Sequence, residues 1–164
     1  MRKQLEGIAL IGLAVEGWLT YGAFAGPEKL GDRIPIHFDS AGNPNGWGQP
    51  HTLLILPLVT LGLYLVITIV AQFPGAFNYP VRVTVENGAR LEELALGMIT
   101  WLKTELVWLF AGMQWFSIAA ARSGKGVLPW FFPIGIAVVF LTIGRYVVGM
   151  IRTARGAGTG RQEV

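Results

Sequence analysis

The chain contains no cysteine. That excludes a disulfide framework and a thiolate metal site. Charge is also scarce: Asp, Glu, Lys and Arg make up 14% of the residues, against about 25% in an ordinary soluble domain. No run of Lys or Arg occurs, and no nucleic-acid-binding module, so the net charge of +3 reads as membrane-flanking cations rather than a nucleic-acid footprint. No nucleophile elbow, no phosphate-cradling glycine loop and no His-x-x-x-His pair is found, and no segment repeats at a period of 20–50 residues. An enzyme is therefore not expected, nor a cofactor.

What the chain has instead is apolar length. Hydrophobic residues are 52% of its 164 positions. A spanning helix needs about 20 consecutive, mostly apolar residues. Four stretches qualify: Gly7–Ala25, Leu53–Phe73, a third near Met98–Ala121, and Val127–Ile151. The expected fold is all-α, a polytopic membrane protein with four transmembrane helices and a structured loop between the first two. Residues 1–75 form a first unit, 76–151 a second helical hairpin, and 152–164 a frayed tail. Ala23-Phe24-Ala25 resembles a signal-peptidase site. Glu16, inside what would be a signal's apolar core, counts against cleavage. Thr84 is expected to N-cap a helix entering at Val85 and running on into the third span.

Four spans place both termini on one side. That side collects Arg2, Lys3, Arg82, Arg90, Lys103, Arg145, Arg152, Arg155 and Arg161, whereas the other holds Lys29, Arg33, Arg122 and Lys125. Positive charge accumulates inside, so both termini are expected in the cytoplasm and the first loop outside. A cytoplasmic membrane, crossed several times, is the expected location.

That loop, Ile34 to Gly48, gathers His, Asp, Asn, Gly, Pro and aromatics as no other stretch does. Ile34, Ile36 and Phe38 alternate with Pro35, His37 and Asp39, the period of an extended segment with one apolar face. His37 and Asp39 would share the other face, roughly 6–7 Å apart. Pro35 restricts the segment to an edge strand or unpaired chain. Asp39 to Gly42 and Asn43 to Gly46 carry turn chemistry. Trp47 suits a membrane–water interface.

The pattern Leu30-x-Asp32-x-Ile34-Pro35-x-His37-Phe38-Asp39-x-x-Gly42-x-Pro44-x-Gly46-Trp47-Gly48 resembles the signature of a small bacterial membrane domain of unknown function. That domain forms the N-terminal part of SdpI-type toxin-immunity proteins. The resemblance covers about the first 75 residues. Phe77-Asn78-Tyr79-Pro80 and Thr84-x-Glu86-Asn87 are similar to later stretches of such proteins. It implies immunity to, or sensing of, an extracellular peptide toxin or envelope stress through Pro35, His37, Phe38, Asp39, Gly42, Pro44, Gly46, Trp47 and Gly48. It also implies a cytoplasmic partner such as a repressor, docking on Asn78, Tyr79, Glu86, Asn87 and Arg90. The chain is read as lacking the second half of full immunity proteins.

Bland readings stand beside these. His37 and Asp39 are expected first to bond the loop's own backbone, then to contact a ligand; a metal shared with His51 and Asp32 is the weakest option. Glu16 is an ionisable group at membrane depth, hence a functional candidate by default. Its alternative is packing against Thr20, Gln114 or Ser117. Glu105 and Arg145 are expected to pair, and Lys103 to snorkel to the interface. Trp101, Trp108 and Trp115, seven apart, form one packing or lipid-facing stripe. Span glycines read as helix contacts. Two other classes remain open: a small transporter using Glu16, and a structural subunit among other membrane subunits.

Overall fold

The computed structural model describes residues 1–26, 30–124 and 130–159, with side chains to residue 156. Lys29, Lys125, Val127, Pro129 and Arg161 lie outside them. Helix α1 runs Arg2–Ala25, strand β1 Ile34–Phe38 and strand β2 Pro44–Gly48. Helix α2 (Ile55–Val70) follows a 3-10 turn at Pro50–Leu54. Helix α3 is Gly88–Ser123 and helix α4 Phe131–Thr159. All four helices are long and apolar enough to cross a membrane. The protein is a multi-pass helical membrane protein with a small two-stranded sheet between its first two helices.

Helix α3 is the hub, packing against α1, α2 and α4. Its 36 residues reach about 54 Å, well beyond the ~30 Å of hydrocarbon. It stops at Gly124, whose φ of +64° is the left-handed cap that glycine adopts without penalty. Helix α1 turns one narrow stripe to α3: Leu5, Ala9, Gly12, Glu16, Thr20 and Ala23 are buried at helical spacing. Gly12 sets that approach. A Cβ there would stand 2.7 Å from Val107 Cγ1. Trp108 closes the same contact by donating its indole N–H to the Ile8 carbonyl at 3.1 Å. Between α3 and α4, Gly97 admits Tyr146 and Gly135 admits Leu109. The span glycines at these positions are helix contacts, whereas a Cβ added at Gly17, Gly22, Gly62 or Gly144 would meet nothing within 4 Å.

The two ends of the bundle differ. At one end, Ala23, Ile34, Leu53 and Ile118 form a buried cluster that ties the base of β1 to the helices; Ile34 is fully buried. At the other, Leu91, Ala95 and Met150 form a second cluster, onto which Phe77, Tyr79 and Val81 of the connection between α2 and α3 pack.

Two boundaries move. Thr84 does not cap a helix at Val85. Asn87 occupies that role differently: its Oδ1 accepts from the Thr84 N–H at 2.8 Å and its Nδ2 donates to the Arg82 carbonyl at 3.1 Å. These bonds hold residues 82–87 as a turn, so α3 starts at Gly88 and Val85 is 99% exposed. The other change is at the tail, where α4 continues to Thr159 instead of fraying after Ile151.

Candidate functional site

The loop is a β-hairpin. β1 pairs antiparallel with β2, setting Ile34 opposite Gly48, Pro35 opposite Trp47, His37 opposite Gly46 and Phe38 opposite Pro44. Asn43 to Gly46, read as a turn, is thus largely strand. Register shifts flank His37 and break the simple alternation. Ile34 and Pro35 are buried while Ile36 and His37 are exposed, so the three apolar residues of β1 do not share one face. Two glycines of β2 make the pairing possible. A Cβ on Gly46 would meet His37 Cβ at 2.9 Å, and one on Gly48 would meet Ile36 Cδ1 at 2.8 Å.

Asp39 builds the turn. Its Oδ1 accepts from the backbone N–H groups of Ala41 at 2.9 Å and Asn43 at 2.8 Å. Its own N–H donates to the Asn43 carbonyl at 2.9 Å, and Gly42, at φ +84°, closes the reverse. The Asn43 N–H, the largest influence, holds the Asp39 carboxyl below its ordinary range; desolvation opposes it, and the Asn43 side chain and the Ala41 and Gly42 amides add to the lowering. Asp39 is therefore a structural acceptor. His37 Nδ1 hydrogen-bonds with Asn45 Oδ1 across the strands. Among the described residues, no three His, Asp or Glu side chains gather as metal ligands. Trp47 remains half exposed, beside Arg33, which donates to its carbonyl at 3.3 Å.

Beneath the hairpin lies a cavity of about 460 Å³. Ile36, His37 and Phe38 roof it; Met113, Phe116, Ser117 and Ala120 of α3 and Phe131 and Phe132 of α4 line the rest. Small-molecule and peptide anchors occupy such spaces, which run from about 300 to 1,000 Å³ with mostly apolar walls. Gly112 lets the Phe131 ring sit against α3 and shape this wall.

A second constellation runs inside the bundle, along the seam of α1, α2 and α3. Helix α2 is apolar except for Thr60, Tyr64 and Thr68, which at four-residue spacing share one face. Tyr64 donates to Glu6 Oε1 at 2.6 Å. Lys103 Nζ sits 2.7 Å from Glu6, donates to Thr68 Oγ1 at 2.9 Å and lies 4.7 Å from the centre of the Tyr64 ring. Lys103 therefore does not snorkel: it is 5% exposed, held inside by a carboxylate that a single-helix reading cannot see. Towards the hairpin, Glu16 is 1% exposed. The Thr60 hydroxyl lies 3.0 Å from Glu16 Oε1 and 2.9 Å from the Leu56 carbonyl. Thr20 donates to the Glu16 carbonyl at 2.8 Å, and Gln114 Nε2 donates to Thr20 Oγ1 at 2.9 Å and to the Leu53 carbonyl at 3.0 Å. Of the three expected partners, Thr20 meets the Glu16 backbone carbonyl, Gln114 bonds Thr20, and Ser117 lines the cavity under the hairpin; the direct contact of the Glu16 carboxyl is Thr60. The spacing of Thr60, Tyr64 and Thr68 on an otherwise apolar helix was the signal for this face.

The expected pair of Glu105 and Arg145 does not form. The rotation of α4 turns Thr142 to Glu105, with the hydroxyl donating at 2.5 Å, and leaves Arg145 exposed, 5.7 Å from the centre of the Tyr146 ring. On the connection, Asn78, Glu86 and Arg90 are exposed, Arg90 pairing with Glu93 one turn along. Tyr79 is half-buried and Asn87 faces inward. Burial, followed by the nearby Glu92 charge, raises the Tyr79 phenol above its ordinary range.

No curated protein and no solved structure matches the chain. The family described as Domain of unknown function (DUF1648) matches residues 18–61. That stretch carries the end of α1, the whole hairpin and the first turns of α2, including Thr20 and Thr60, and it stops short of Glu16 and of α3 and α4. Over those residues, the chain is similar to a domain whose function has not been assigned.

Proposed function

We propose that this integral membrane protein is a non-enzymatic immunity or sensing factor. It captures an amphipathic extracytoplasmic molecule, a membrane-active peptide toxin foremost, in the cleft under the hairpin. The observation that carries this reading is the apolar cavity roofed by Ile36, His37 and Phe38 and walled by α3 and α4. An apolar anchor entering there leaves the flanking polar part of a peptide beside the exposed Asn45 and Trp47. The distribution of Lys and Arg supports a hairpin outside and termini in the cytoplasm of a bacterial inner membrane. In that orientation the exposed Asn78, Glu86 and Arg90 face the cytoplasm, where a repressor or another partner docks.

The test is survival of cells expressing the protein when challenged with cationic amphipathic antibacterial peptides. Met113→Trp or Ser117→Trp fills the cavity and removes protection at equal protein abundance. Leu58→Trp, at an outward position 68% exposed and away from the cavity, leaves protection intact. Full protection with the cavity filled contradicts the reading.

A further inference from the structure

The bundle holds two glutamates on the buried side of α1, Glu6 and Glu16, in unlike surroundings. Glu6 has a cation within the chain, Lys103 at 2.7 Å, and a phenol, Tyr64. Glu16 is more deeply buried and has neither: Lys103 pairs with Glu6, and Arg90 with Glu93. Glu16 Oε2 and Gln114 Oε1 are buried acceptors that meet no donor among the described residues. A carboxylate with no counter-charge and one bare oxygen is the costliest way to place this side chain in hydrocarbon.

Counting protons resolves it. Thr60 has one hydroxyl proton and two acceptors in reach, Glu16 Oε1 at 3.0 Å and the Leu56 carbonyl at 2.9 Å. The other threonines of α1, α2 and α3 bond the carbonyl four residues back: Thr20 to Glu16, Thr68 to Tyr64, Thr100 to Leu96 and Thr104 to Thr100; Thr142 of α4 turns to Glu105 instead. If Thr60 does the same, its contact with Glu16 needs a proton from the other side. Gln114 supplies none, because both its amide bonds are used on Thr20 and Leu53.

We infer that Glu16 is a proton-binding site: its carboxyl carries an exchangeable proton and donates it to Thr60 Oγ1, bridging α1 and α2. Uptake forms one O–H bond on the carboxyl and release returns the proton to water, with no other bond changed. Release leaves a carboxylate facing a hydroxyl already committed to Leu56, so the packing of α1 on α2 depends on the proton. Thr60 of α2 faces the Glu16 carboxyl, Thr20 of α1 bonds its backbone carbonyl, and Gln114 of α3 bonds Thr20. The other titratable groups of the seam are Glu6, Tyr64 and Lys103, farther along it. Proton binding at Glu16 needs no ligand under the hairpin.

The experiment uses the full chain in lipid vesicles, with infrared difference spectra of the carboxyl C=O stretch recorded against pH and sodium. The expected result is a protonated carboxyl band that titrates with pH, is indifferent to replacing sodium by choline, survives Glu105→Gln and vanishes in Glu16→Gln. Thr60→Val keeps the carboxyl and moves the titration midpoint by about one pH unit, the scale of one lost hydrogen bond. Glu16→Gln carries an N–H where the protonated acid carries its O–H. It folds, with an unfolding midpoint less dependent on pH than that of the wild type. The inference is overturned if Glu16→Gln fails to fold, if its spectra match the wild type throughout, if sodium rather than pH governs the band, or if Thr60→Val leaves the midpoint in place.

Discussion

The ammonium of Lys103 and the carboxylate of Glu6 meet at 2.7 Å although 97 residues separate them, fastening the middle of α3 to the start of α1 inside the bundle. Such a pair adds little net stability over an apolar pair, but removing one partner strands the other charge. Because Glu6 is about one-third exposed, the stranded charge is partly screened. Lys103→Met should therefore cost about 2 kcal/mol in denaturant unfolding from micelles. The double change Lys103→Met with Glu6→Gln should recover part of that loss. Additive losses would mean that the two charges act independently.

Gly12 makes a contrasting prediction with Gly17, five residues on in the same helix. Gly12→Ala forces its methyl into Val107 and should destabilise the fold by about 1–3 kcal/mol. Gly17 has nothing within 4 Å of an added Cβ, so Gly17→Ala should be neutral or stabilising by up to about 1 kcal/mol. Unfolding midpoints of the two variants check this; equal midpoints would remove close packing at Gly12 from the account.

How much of this was legible follows from range. The four spans are visible because each is a local run of apolar residues. β1 is visible as an extended segment, although the register shifts around His37 keep Ile34, Ile36 and Phe38 from sharing the one face that their alternation suggests. β2 is hidden because Pro44, Asn45 and Gly46 have turn chemistry; its glycines are there to clear His37 and Ile36, which only the paired strands reveal. Glu16 stands out as one charge in an apolar run. Lys103 and Glu105 mislead for a shared reason: depth along a helix is readable locally, whereas the partner depends on how neighbouring helices rotate. That rotation gives Lys103 to Glu6 and Glu105 to Thr142.

Asp39 gives the hairpin a defined dependence on acid. Its folded carboxyl is held below the ordinary range, so its stabilising contribution is complete above the unfolded value, near pH 4, and is lost as pH falls through the folded value. The Asn43 amide resonance should stay fixed above about pH 4 and move only below it. In Asp39→Ala, which removes the acceptor for the Ala41 and Asn43 N–H groups, that resonance should be displaced at every pH. A wild-type resonance that moves between pH 5 and 7 would show the carboxyl is not so held.

The outward hairpin is the claim on which capture from outside depends. The absence of cysteine makes it directly measurable, since any introduced thiol is unique. Asn45→Cys, on exposed β2, should react with a membrane-impermeant maleimide in intact cells, while Val85→Cys, at the opposite end, should react only after the cells are opened. Reaction at position 85 in intact cells, with position 45 silent until lysis, would contradict it.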